Sequence, residues 1–256
     1  MSDAPARFVE WTGSHIANDK KHGRNVYRYH PRSDEHSKQI CRMVLTDLLA
    51  ACPTLAADAA ARRVVGDINV GYTFSNGKTK NLDLAVGVPA APPEEPLGGA
   101  PILSGPLSEL RISVEAKQCM TEHSKTKPRI FDELSSSHEI VHQGTPQAIA
   151  GGIVVVNIAD RFASPLRQEA TGPLSFTTHK QPKVTESMVQ HLRGLKTRET
   201  VNEVGFDAFA TIVVNCDNVG GCLLHTEQPA PQVGEMDHYH TFVQRVSRAY
   251  QERWGE

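Results

Sequence analysis

Helix-period and strand-period segments follow one another in the order helix, strand, strand, strand, helix, strand, helix, strand. This order predicts an α/β fold with a mixed central sheet between layers of helices. Two further observations agree with that class. GIVVVN (152–157) is a continuous apolar run of the kind a strand shows when both its faces are buried. VVGDINVGYTF and NLDLAVGV are separated by SNGKT, whose Asn-Gly pair is a hairpin turn signal.

After a polar lead, Ser33, Asp34 and Glu35 look like a helix start, because a hydroxyl caps orphan amides and carboxylates favour the positive end of the dipole. Ile40, Val44 and Leu48 then recur at every fourth residue beside Cys41, Leu45 and Cys52, which defines one buried face ending near Pro53. The hairpin follows, with Asp67 read as a turn residue at the entry to its first strand. Residues 89–106 are dense in Pro and Gly and are expected to form a surface loop. LRISVEAK (110–117) resumes a strand, and a helix is expected over about Arg129 to His142. A basic loop, 160–182, precedes a helix carrying Val184, Met188, Val189, Leu192 and Leu195 on one side. FDAFATIVVNC (206–216) is a further strand. Tyr239, Phe242, Val243, Val246 and Tyr250 at helical spacing predict a terminal helix over Asp237 to Trp254 that docks onto the body. The division expected from this pass is a basic lead segment (1–33), a core (34–216) and a C-terminal extension (217–256) available as an interface.

With 39% apolar and 22% charged residues the chain has the composition of an ordinary globular protein. No apolar run approaches the roughly 20 residues of a membrane span. The first residues show no apolar stretch behind a basic start, so no secretory signal is expected and the cytoplasm is the default compartment. Five cysteines, an odd number without a CxxC pair, read as reduced thiols in or near the core. The formal net charge of −2 conceals an uneven distribution. Residues 20–42 carry Lys20, Lys21, Arg24, Arg28, Arg32, Lys38 and Arg42 against two acids. Residues 161–198 carry Arg161, Arg167, Lys180, Lys183, Arg193, Lys196 and Arg198, again against two. Such clusters suit a protein that neutralises phosphates.

The chemistry is concentrated in two strands. In LRISVEAK the side chains alternate, so Ser113, Glu115 and Lys117 share a face opposite Ile112, Val114 and Ala116. In NLDLAVGV the same rule sends Leu82, Leu84 and Val86 into the core and leaves Asp83 on the other side. A carboxylate among apolar residues costs several kcal/mol unless it is paired or binds a metal. Placed side by side, the strands bring two carboxylates and an ammonium together, a set that suits a hard cation such as Mg²⁺.

Asp83 and Glu115-Ala116-Lys117, with 31 residues between the acids, resemble the PD-(D/E)XK nuclease superfamily, which includes many restriction endonucleases. The resemblance covers roughly residues 34–216. It departs from the family pattern in Leu82, where the motif places proline, and in the Pro/Gly loop that stretches the gap. What it implies is a restriction-endonuclease-like αβββαβ core and an Mg²⁺-dependent endonuclease, with Mn²⁺ able to substitute, acting on double-stranded DNA in restriction or antiviral defence. Asp83 and Glu115 would bind the metal with the Ala116 carbonyl as a third ligand, and Lys117 would orient the attacking water. Glu35 and Gln118 are accessory candidates. Lys125, Lys127 and Arg129, just beyond the catalytic strand, are candidates for the DNA backbone. Paired cutting of a duplex implies a homodimer or larger assembly, for which the aromatic terminal helix is a candidate surface.

A rival motif is present. His138-Glu139-Ile140-Val141-His142 is a literal H-E-x-x-H, the pattern in which two histidines one helical turn apart bind zinc and the glutamate activates water. Three serines precede it where zinc-protease helices carry bulky apolar residues, and Thr145 and Ala148 stand where an extended motif has glycine and histidine. A non-catalytic nucleic-acid-binding protein is the third alternative.

Overall fold

The structure, a computed structural model, describes residues 2–19, 23–93, 95–169 and 171–255. Lys20 and Lys21 of the first basic segment therefore lie outside the described residues. Helices α1 (Ala4–Ser14), α2 (Glu35–Ala51) and α3 (Pro53–Ala60) precede the strands β1 (Val65–Thr73) and β2 (Thr79–Pro89). The two-residue strands β3 (Glu95–Pro96) and β4 (Leu103–Ser104) lead to β5 (Leu107–Cys119), α4 (His123–Gly144) and β6 (Ile149–Asn157). The small strands β7 (Arg161–Phe162) and β8 (Thr177–Thr178), helix α5 (Lys183–Leu192), strands β9 (Ala208–Cys216) and β10 (Cys222–Leu224), and helix α6 (Tyr239–Trp254) complete the chain.

Eight strands form one mixed sheet in the order β10, β9, β6, β5, β2, β1, β4, β3. β1, β2 and β5 are successive antiparallel neighbours, whereas β5, β6 and β9 run parallel. In chain order α2 and α3 precede β1 and β2, the short β3 and β4 intervene before β5, and α4 leads from β5 to β6. The parallel crossover from β5 to β6 is made by α4, as a parallel pair requires.

Alternation along the central strands sorts the core into two layers. Ile153, Val155, Ile112 and Val114 join α2, α3 and α6 on one side, while Val154, Val156 and Phe209 join Leu134 and Val141 of α4 and Met188 of α5 on the other. This division explains why β6 reads as an unbroken apolar run. Gly87 marks a register shift between β2 and β5; a Cβ there would lie 1.9 Å from the Glu109 carbonyl oxygen, so only glycine fits.

Several expectations need correction. The lead segment contains α1, whose Ala4, Phe8 and Val9 belong to the main core, with Asp3 accepting a cap bond from the Ala6 amide at 3.1 Å. The Pro/Gly loop carries β3 and β4 at the sheet edge, and Asp67 lies inside β1. Helix α4 begins at His123, six residues before Arg129, and accommodates Pro128 in its second turn. The aromatic face of α6 packs inside the protomer: Tyr239, Phe242, Val243, Val246 and Tyr250 are all buried in the same core. No single helix among the described residues is long and apolar enough to cross a membrane.

Candidate active site where the β2 and β5 ladder ends

The position of Asp83 follows from a local irregularity. Its cross-strand neighbour by register is Asn69, which adopts φ +58, a left-handed conformation that asparagine tolerates better than most residues. The ladder passes from Ile68↔Leu84 to Val70↔Leu82 without pairing Asn69 and Asp83. Strict alternation fails there: Leu84 and Val86 enter one core layer, while Leu82 enters the other. The expectation that Leu82, Leu84 and Val86 share a face is therefore wrong at Leu82.

On the other side of β2, the last pair with β5 is Leu84↔Val114. Beyond it the Ala116 amide donates to Asp83 Oδ2 at 2.8 Å instead of to a main-chain carbonyl. A strand residue turns its N–H and C=O to the same side. The Ala116 carbonyl therefore faces the same gap as the Asp83 carboxylate.

Glu115 and Lys117 lie on the α4 side of β5, as alternation requires. Glu115 is buried and accepts from three donors: Lys117 Nζ at 2.6 Å on Oε1, and Lys80 Nζ at 2.8 Å and Ser137 Oγ at 3.0 Å on Oε2. Lys117 also approaches Glu133 at 3.6 Å. Glu133 and Ser137 are one helical turn apart on α4, so a single helix face supplies both contacts. These residues, with Asp132, Ser136 and Ile140, line a cleft of about 370 Å³.

The charges respond to this packing. Burial and then the Glu115 charge push the Asp83 carboxyl above its ordinary range. Burial pushes Glu115 upward too, but Lys117 and Lys80 outweigh it and hold the carboxyl below the usual range. Burial works against the Lys117 ammonium, but Glu115, Asp83 and Glu133 more than compensate, so it stays protonated well past neutrality. Lys117 and Lys80 thus face the carboxylates of Asp83 and Glu115, with Glu133 a further carboxylate beside Lys117.

Sequence reasoning missed Lys80, Ser137 and Glu133. Lys80 is three residues from Asp83, an odd spacing that regular alternation assigns to opposite faces; the break in alternation between Leu82 and Leu84 removes that separation. Glu35 is exposed at the start of α2, and no hydrogen bond or ion pair among the described residues joins it to Asp83 or Glu115. Its neighbour Asp34 reaches further, accepting from Asn69 Nδ2 at 2.9 Å, and Asn81 in turn donates to Asn69. Gln118 has a buried side-chain nitrogen without a hydrogen-bond partner among the described residues.

The basic candidates fare unequally. Arg129 pairs with Glu133 at 3.6 Å and so stands at the rim of the cleft. Lys125 pairs with Glu122 at 3.4 Å, and Lys127 donates to Ser187 at 3.0 Å. The segment 161–198 is not one patch: Arg198 is a core cation on Asp207, and Arg193 is held by Asp237 and Glu235.

The H-E-x-x-H residues form a different environment. His138 is buried edge-on to Phe206 at 4.9 Å, and burial presses its ring down to about 4. His142 Nε2 lies 3.4 Å from Asp207 Oδ2, within a network of Arg198, Arg253 and the Ala150 amide on the same carboxylate. Glu139 is exposed on another side of the helix. Among the described residues, no three His, Cys, Asp or Glu side chains are grouped so as to hold a metal ion, here or at the Asp83 and Glu115 pair. No family model, curated protein or solved structure matches the chain.

Proposed function

We propose that this protein is a divalent-cation-dependent endonuclease of the PD-(D/E)XK kind that hydrolyses phosphodiester bonds of double-stranded DNA. The observation that carries this reading is the convergence of Asp83, Glu115 and Lys117 at the point where the β2 and β5 ladder ends. Restriction or antiviral defence is the role such a centre suggests.

The donor set fits a hard cation. Two carboxylates and a strand carbonyl offer only oxygen, and Mg²⁺ typically takes one or two carboxylates and completes its shell with water and substrate phosphate. Asp83 and Glu115 would hold the ion with the Ala116 carbonyl. When bound, the ion supplies the Lewis acidity that acidifies a water and offsets charge on the phosphate. Lys117, kept protonated by its acidic neighbours, donates to the attacking water and to the phosphate oxygens; it is a donor in this scheme and not the base. Ser137 fixes the rotamer of Glu115 through a bond from a rigid helix. Arg129 at the rim is the best placed of the basic candidates to meet the DNA backbone.

The zinc-peptidase alternative has less support, since His138 and His142 face the core while Glu139 faces away from it. The symmetry of a duplex still favours a homodimer for double-strand cutting, although α6 no longer contributes to that argument.

A supercoiled-plasmid assay tests the proposal. Cleavage is expected with Mg²⁺ or Mn²⁺ and not in EDTA, with linear product from a dimer, and Lys117→Ala is expected to lose cleavage by on the order of 10²-fold or more while still binding DNA. Normal cutting by that variant would show that the reacting centre lies elsewhere. DNA binding without any cleavage would favour the non-catalytic alternative.

A further inference from the structure

β10 is the edge strand of the sheet, and its first residue, Cys222, lies directly opposite Cys216 of β9. Opposite residues of an antiparallel ladder alternate between hydrogen-bonded and non-hydrogen-bonded pairs. The His225 amide donates to the Val213 carbonyl at 2.9 Å, which makes that pair a bonded one. Stepping back along the register, Leu224 and Val214 are non-bonded, Leu223 and Asn215 bonded, and Cys222 and Cys216 non-bonded. Asn157 confirms this independently. Its side chain accepts from the Cys216 amide at 3.0 Å and donates to the Cys216 carbonyl at 2.8 Å, so both main-chain groups of Cys216 face β6 and away from β10.

Non-bonded pairs bring their Cα atoms to about 4.5 Å with the side chains on one face. That spacing lies within the roughly 4.4–6.8 Å that a disulfide spans. Both cysteines are free, and both belong to the core layer beneath α1. The neighbouring sulfur pushes the Cys216 thiol down, and the same neighbour together with burial pushes the Cys222 thiol up.

We propose that Cys216 and Cys222 form a reversible redox site that closes into a cross-strand disulfide on exposure to a peroxide. The Cys216 thiolate attacks one peroxide oxygen and breaks the O–O bond, giving a sulfenic acid and hydroxide, which is protonated to water. The Cys222 sulfur then attacks the Cys216 sulfur, the S–O bond breaks, and a second water leaves; two thiols and one hydrogen peroxide give one disulfide and two waters.

The structural consequence falls on the connection between β9 and β10. Asn218 in that turn donates to the Tyr29 and Ala163 carbonyls at 3.0 and 2.8 Å and accepts from the Tyr29 amide at 2.6 Å. The Gly220 carbonyl accepts from Arg28 Nε at 3.0 Å. The disulfide closes a ring around this anchor. In the reduced protein the edge strand opens by local unfolding, and in the oxidised protein the covalent bond prevents that opening. The inference does not depend on the nuclease reading.

Peptide mapping by mass spectrometry after hydrogen peroxide treatment, with free thiols alkylated, tests it. A mass loss of about 2 Da, one linked peptide joining Cys216 to Cys222, reversal by dithiothreitol, and no link in Cys222→Ser are expected. The Leu223 and His225 amides, which face β9, should exchange at least roughly ten-fold more slowly in the oxidised protein. Because both thiols are buried, refolding in a glutathione redox buffer provides a second arm in which access is not limiting. Linkage of this pair under those conditions supports the proposal. Persistent free thiols at both positions in both arms, or a product joining either residue to Cys41, Cys52 or Cys119, would overturn it.

Discussion

Replacing Lys80 with methionine removes one of the two cations on Glu115 and keeps the length of the side-chain stem. The Lys80 and Glu115 side chains are 17% and 7% exposed, so their attraction at 2.8 Å is not dissolved by solvent as at a surface. Orphaning a buried charge costs about 3–5 kcal/mol. Glu115 is not orphaned, however, because Lys117 and Ser137 remain at 2.6 and 3.0 Å. The expected loss is that of one charged hydrogen bond, about 1.5–3 kcal/mol. At about 2–4 °C per kcal/mol for a chain of this size, the melting temperature in EDTA should fall by about 3–12 °C. The sign reverses when a cation is supplied. Lys80 would compete with the proposed ion for the Glu115 carboxylate, and without it the centre carries one more unit of negative charge. Mn²⁺ at 100 times its dissociation constant stabilises the folded state by about 2.7 kcal/mol, and the variant reaches that ratio at a lower concentration than the parent protein. Thermal melts across an Mn²⁺ series, with Asp83→Asn as the control that should lose the gain, read both effects. An unchanged melt in EDTA, or equal Mn²⁺ gains in parent and variant, would refute the reasoning.

Two further perturbations address the scaffold. His36 is 2% exposed, with both ring nitrogens unpartnered among the described residues, between Phe8, Trp11, His15 and Tyr29; burial presses its ring down to about 3. An unfolded histidine titrates near pH 6.5, so between about 6.5 and 3 the unfolded state binds a proton that the folded state refuses, and stability rises with pH across that window before levelling. His36→Phe should remove up to one proton from that slope, about 1.4 kcal/mol per pH unit, in urea midpoints measured against pH; a slope identical to the parent's contradicts the assignment. Asp207→Ala leaves the fully buried Arg198 side chain unpaired and should cost about 3–5 kcal/mol in urea unfolding, with Asp207→Asn milder; a loss below about 1 kcal/mol would mean that the network carries little.

Where local pattern and tertiary environment agreed, the sequence was legible. The Asn76-Gly77 turn joins β1 and β2 as expected, with Gly77 at φ +80, and α2 begins at Glu35 with Asp34 at its N-cap position and Ser33, just before it, accepting from the Glu35 amide at 3.3 Å. Glu115 and Lys117 share a face because β5 keeps its alternation through them. Helix α1 was also readable, in the Asp3 cap, Pro5 in the first turn and Ala4, Phe8 and Thr12 at fourth positions, but its place before a basic run obscured it. Lys80 was not readable, because its place beside Glu115 goes with a break in the alternation of β2 between Leu82 and Leu84 that no strand pattern announces. The reverse error concerns the aromatic residues of α6. Spacing shows that they share a face but not what covers it, and here the cover is the protein's own core. The same holds for Arg198, whose charge looks like surface until Asp207 is seen opposite it.

The central claim is that Asp83 and Glu115 form a divalent-cation centre, and locating Mn²⁺ by anomalous diffraction in crystals of the protein tests it most directly. One peak is expected within coordination distance, about 2–2.3 Å, of oxygens from Asp83 and Glu115, with Lys80 withdrawn from Glu115. A peak on His138 and His142 with the Asp83 pair empty, or Lys80 still bound to Glu115 at saturating Mn²⁺, would contradict it.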